Sequence, residues 1–165
     1  MGHHINAIIG KLPVNEDKIA HYGLATAFED GFAIILLDED HIFQWIKITG
    51  LDAVYDIDEE IYDGELIHFF AKEIGFSRYA VIKTDYFAGI GEQHAILFDN
   101  SKIEMRGSIN QVLGSLGVVV KDKCDEFEQI ALDYYRTTEY YYWQSEKNWA
   151  RLKPNMIPGR MPEAK

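Results

Sequence analysis

Apolar side chains fall in short runs separated by glycine-bearing and acidic turns, a spacing that predicts strands and helices of one α+β domain. Ile5 to Lys11 reads as a first strand, with Ile5, Ala7 and Ile9 on one face, Ile8 on the other, and Pro13 closing it. Two apolar faces predict an interior position. Asn15 can cap a short helix through His21, with Glu16 and Asp17 favouring its dipole and Gly23 stopping it. A short strand at Leu24 to Phe28 and the turn Glu29-Asp30-Gly31 lead into Phe32 to Leu37, an unbroken apolar run suited to a central strand.

From Asp38 to Gly50 the apolar positions Ile42, Phe43, Trp45, Ile46 and Ile48 suit helix or strand, and the helix is preferred. Residues 51 to 60 form an acidic connector, and Ile61 to Gly75 returns to helical spacing. Tyr79 to Ile82 and Ala95 to Phe98 flank the loop Phe87 to Gly91, which predicts a hairpin. Asp99 to Lys102 reads as a turn. Ser108 can cap a helix through Leu116, ended by Gly117. Asp125 to Arg136 places Phe127, Ile130, Ala131, Tyr134 and Tyr135 three and four apart, the pattern of an amphipathic helix. The expected architecture is a single α+β domain over residues 1–150, with a mixed or antiparallel sheet of four to six strands covered by helices. Residues 151–165, with Pro154, Pro158 and Pro162, read as an irregular tail.

A chain of 165 residues with 47% apolar side chains can bury a real core without staples. The single cysteine, Cys124, excludes an intramolecular disulfide framework and a paired redox or zinc motif, so a reducing, cytoplasmic setting is expected. No basic stretch leads into a signal-like apolar segment, and the longest apolar run is too short to cross a bilayer. Asn6 stands where a myristoylation signal wants Ser or Thr. No membrane association is expected.

Charge is concentrated. The formal net charge is −11, and the segment from Glu29 to Glu65 carries twelve carboxylates against Lys47, which is the whole excess. That balance argues against nucleic acid, whose phosphates need a basic face. A solvated surface explains such acids adequately. Their clustering also suits a basic protein partner, because complementary fields speed encounter. The residues expected to carry such binding are Asp38, Asp40, Asp56, Asp58, Glu59 and Glu60.

Catalytic signals are sparse. Tyr86, Glu92 and His94 surround the glycines of the hairpin and form the alternative site, although alternation along a strand separates neighbouring side chains to opposite faces. The glycine spacing lacks the strand-to-helix setting of a dinucleotide site, so no cofactor is expected. None of the six histidines forms a helical ligand pair, and no metal site is expected. Cys124 has Lys121 and Lys123 nearby but no orienting base in sequence. The aromatic C-terminal segment, including Tyr134, Tyr135, Tyr141, Tyr142, Trp143 and Trp149, suits core packing or a homodimer contact.

Asp85 to Ala95, Ser108 to Leu113, Leu116 to Val118 and Asp125 to Arg136 together resemble a family of small uncharacterised bacterial cytosolic proteins. That family has a Tyr-Phe-x-Gly-x-Gly-Glu-Gln hairpin and a downstream Asp-Glu-Phe helix. The resemblance spans residues 85 to 136, with Ala88 where the family would have glycine, and implies no activity. In size, acidity and lack of catalytic signature the chain is also similar, by class alone, to immunity proteins of bacterial toxin systems. The expected function is therefore a non-enzymatic acidic binding protein for a basic partner, in immunity-like form. The alternative is a small hydrolytic or metal-assisted enzyme centred on the glycine hairpin.

Overall fold

A computed structural model describes residues 2–54, 61–142 and 152–163. Seven strands form one antiparallel sheet: β1 (His3–Lys11), β2 (Thr26–Glu29), β3 (Phe32–Leu36), β4 (Arg78–Phe87), β5 (Ile90–Asp99), β6 (Lys102–Gly107) and β7 (Met156–Ile157). Their spatial order is β6-β5-β4-β1-β3-β2-β7. Seven strands replace the expected four to six, because both edge strands escape the periodicity. In β6, charged Lys102, Glu104 and Arg106 alternate with two partly exposed apolar residues, and β7 is only two residues long. The segment expected to be an irregular tail thus supplies one edge of the sheet.

The predicted interior strands are interior. Ile5, Ala7, Ile8 and Ile9 of β1 and Ala33 to Leu36 of β3 are wholly buried. One face of the sheet packs on α1 (Glu16–Tyr22), α2 (Glu39–Thr49) and α3 (Glu65–Ile74) through Ile8, Ile35, Leu66, Phe70, Val81 and Ile96. The other face buries Ile5, Ala7, Ile9 and Ile82 against α4 (Ile109–Leu116) and the chain that follows it. Local signals set the helix ends as expected: Asn15 accepts from the Lys18 N–H, and Ser108 forms a reciprocal capping box with Gln111.

The predicted helix from Asp125 to Arg136 survives only as α5 (Glu126–Gln129). The Leu132 N–H donates to the Phe127 carbonyl and Ala131 takes φ 58°, which closes the helix with a left-handed residue. Packing decides this. Ile130, Leu132 and Tyr135 are all fully buried, whereas a continuous helix would point Ile130 and Leu132 roughly 200° apart and leave one outside the core. A 3-10 turn, Thr138–Tyr141, then crosses the start of β1. Tyr135, Tyr141 and Tyr142 are core side chains, so this part of the aromatic segment is spent on packing.

Candidate functional site

The register of β1, β4 and β5 decides which polar groups meet. On the face covered by α1 to α3, the row Ile8, Val81 and Ile96 is core. The next row outward is Asn6, Lys83 and His94, and the one after is His4, Asp85 and Glu92. Two residues along a strand return a side chain to the same face about 6.8 Å further on, so these rows form a polar extension of the apolar face.

A cavity of about 500 Å³ lies over this extension, lined by His4, Asn6, Glu39, Lys83, Asp85 and Glu139, with Tyr62, Leu37 and Val54 at its side. Glu39 opens α2, directly after β3 has delivered Leu37 beside Asn6. Glu139 is held by the 3-10 turn. There the Asn6 N–H donates to Thr138 Oγ1 at 3.3 Å, and that hydroxyl donates to the Leu37 carbonyl at 2.9 Å. The His4 ring stands between two acids, with Nδ1 3.7 Å from Asp85 Oδ1 and Nε2 3.5 Å from Glu139 Oε1.

Among the described residues, three carboxylates from three elements therefore share one cleft with one ammonium, Lys83, which is 7% exposed. Their field reaches neighbouring groups. Burial pushes the Asp38 carboxyl up to about 6, with Asp40 and Glu139 adding to it against the pull of the His41 N–H. Burial likewise pushes the Tyr62 phenol up to about 12, and the charges of Glu39, Asp38 and Glu139 act in the same direction. Asn6, 6% exposed, lines the cleft, and its Oδ1 has no hydrogen-bond donor among the described residues. A buried acceptor in that condition is stabilised by any ligand that brings an N–H.

The acids named from the sequence divide. Asp56, Asp58, Glu59 and Glu60 lie outside the described residues, but Val54 and Tyr62, close to either end of that run, both line the cleft. Asp40 is exposed. Asp38 is only 3% exposed and turns its carboxylate to the His41 N–H at 3.3 Å, where it caps α2 instead of facing solvent. The acidic excess is also less uniform than the sequence implies. Glu29 and Asp30 sit at the opposite end of β3 and already have intramolecular partners, Glu29 the half-buried Lys153 and Asp30 the exposed Lys121.

Tyr86, Glu92 and His94 are not brought together. Tyr86 lies opposite Gly91 and so points to the other face of the hairpin, where its ring packs on His3 at 5.1 Å. Glu92 and His94 do share a face, with His94 Nε2 3.5 Å from Glu92 Oε2, but the Glu92 side chain is 76% exposed. No motif in the sequence joins His4, Asn6, Lys83 and Asp85. A signal did exist: Asn6 interrupts an apolar strand, and Lys83 and Asp85 continue the face that begins with Val81.

Among the described residues, no three His, Cys, Asp or Glu side chains are arranged to hold a metal ion. None of the described residues lining the cleft is a Ser, Thr or Cys, the usual acyl-transfer nucleophiles. A roomier cavity, about 690 Å³, lies between α2 and the C-terminal segment, with Trp45, Ile48 and Met161 among its walls. Its indole is already satisfied, because Trp45 Nε1 donates to the Tyr22 carbonyl at 3.1 Å. The acidic cleft is the better candidate because polar groups from distant parts of the chain meet there. Comparison with protein-family models, curated proteins and solved structures gives no match, and among the described residues no helix is long and apolar enough to cross a membrane.

Proposed function

We propose that the protein is a non-enzymatic binding protein that docks a basic protein partner at this acidic end, with the cleft receiving a lysine or arginine side chain. One observation carries the reading: Glu39, Asp85 and Glu139 come from three separate elements to surround a cavity that also contains Asn6 Oδ1, an acceptor with no donor among the described residues. A guanidinium is the best-suited guest, since it offers charge to the carboxylates and planar N–H donors to the amide oxygen. The acidic run between Val54 and Tyr62 adds long-range attraction that speeds encounter. In its sharpest form this is immunity-like inhibition, in which the docked protein covers its partner's working surface.

The test uses a fluorescent hexa-arginine peptide as the basic probe. Binding to the unaltered protein is expected to weaken steeply with salt, and E39Q/D85N/E139Q to lose about tenfold in affinity. Neutralising Asp56, Asp58, Glu59 and Glu60 together is expected to slow association and flatten the salt dependence. Equal affinity of the unaltered protein and the triple variant would remove the cleft from the mechanism.

A further inference from the structure

The polar rows beneath the cleft continue into an apolar one. Beyond Asp85 and Glu92 on the same face, the next cross-strand pair is Phe87 with Ile90, and these side chains are 80% and 81% exposed. They close a two-residue turn in which Ala88 and Gly89 both have positive φ, 53° and 78°, the tight hairpin connection matched to strand twist. The tip is therefore a short, regular end of the sheet, with its two largest apolar side chains outside the core. Directly behind them stand Asp85 and Glu92.

We infer that Phe87 and Ile90 are the apolar half of the same docking surface, and that the segment bound there carries a cationic and an apolar side chain two residues apart in extended conformation. The inference rests on the proposed cationic guest and names its neighbour. Charge complementarity fixes the occupant, because an acidic row and an apolar row about 6.8 Å apart match positions i and i+2 of an extended strand. A purely apolar partner would strip water from the carboxylates of Asp85 and Glu92 and bring no cation in its place. A purely cationic one would leave Phe87 and Ile90 in water.

Two acetylated, amidated peptides, Gly-Arg-Gly-Leu-Gly and Gly-Arg-Gly-Ser-Gly, are titrated into the full chain while backbone amide resonances are followed. The leucine peptide is expected to bind about tenfold tighter and to shift amides of both the cleft, such as Asn6 and Lys83, and the tip, Phe87 to Ile90. The variant F87T/I90T keeps β-forming side chains at exposed positions and is expected to erase that difference while leaving the serine peptide unchanged. Equal binding of the two peptides to the unaltered protein, with cleft amides shifting, overturns this inference and leaves the cationic cleft standing. No shift of cleft amides with either peptide overturns both. Retention of the leucine preference by F87T/I90T shows that the apolar contact lies elsewhere and also overturns it.

Discussion

Glu29 offers a quantitative test of how the C-terminal segment is fastened to β2. Its Oε1 accepts from Tyr135 Oη at 2.6 Å, Lys153 Nζ at 2.9 Å and Asn155 Nδ2 at 3.1 Å. The Lys153 side chain is 28% exposed and its ammonium can recover hydration, so that pair is worth less than about 1 kcal/mol. Asn155 Nδ2 also donates to the Phe28 carbonyl. Tyr135 is fully buried, and leaving its hydroxyl without this acceptor costs about 1–3 kcal/mol. Glu29→Ala is therefore expected to lose about 2–4 kcal/mol in urea unfolding. Tyr135→Phe removes the donor but leaves the carboxylate two partners, and about 1–2 kcal/mol is expected. The double variant should fall short of additivity by about 1–2 kcal/mol. Acid titration supplies a second readout. Burial alone would raise the Glu29 carboxyl, but hydrogen bonds from Tyr135, Lys153 and Asn155, with the Lys153 charge, hold it below the ordinary glutamate range. Because the folded group gives up its proton more readily than the unfolded one, its stabilisation is complete above the ordinary glutamate value and is lost as pH falls through the folded value. Glu29→Gln should remove that part of the acid slope. Additive single losses, or an unchanged slope in Glu29→Gln, would refute the fastening role.

Asp38 has the opposite sign. Its folded carboxyl, up at about 6, holds its proton more tightly than in the unfolded chain, so its contribution to stability is largest below about pH 4 and declines as pH rises toward about 6. Asp38→Asn retains a capping oxygen and should abolish that decline in denaturation midpoints measured across the window. Gly10→Ala would place a methyl 2.5 Å from the Phe76 ring, and a loss of about 1–3 kcal/mol is expected in thermal or urea unfolding. Ala88→Asn puts a residue that tolerates left-handed backbone at φ 53°, and slower amide exchange across β4 and β5, by about 0.5–1 kcal/mol, should follow.

By itself the sequence determined the class of the fold, its interior strands and the N-caps of α1 and α4. These follow from nearest neighbours along the chain: two apolar faces in Ile5 to Ile9, a continuous run in Phe32 to Leu37, and Asn15 or Ser108 ahead of a helical period. Tertiary structure decided the rest, because the physical causes act between residues far apart in the chain. The buried positions of Ile130, Leu132 and Tyr135 stopped α5 where periodicity would have extended it. The acidic run was legible, but the commitment of Glu29, Asp30 and Asp38 to internal partners was not. The polar extension of the sheet depends on β1 lying between β3 and β4, which sets Asn6 against Lys83 and His4 against Asp85, pairs 77 and 81 residues apart in the chain. A shift of one residue in that pairing would send the same side chains to the opposite face, so the cleft is a property of register and not of composition.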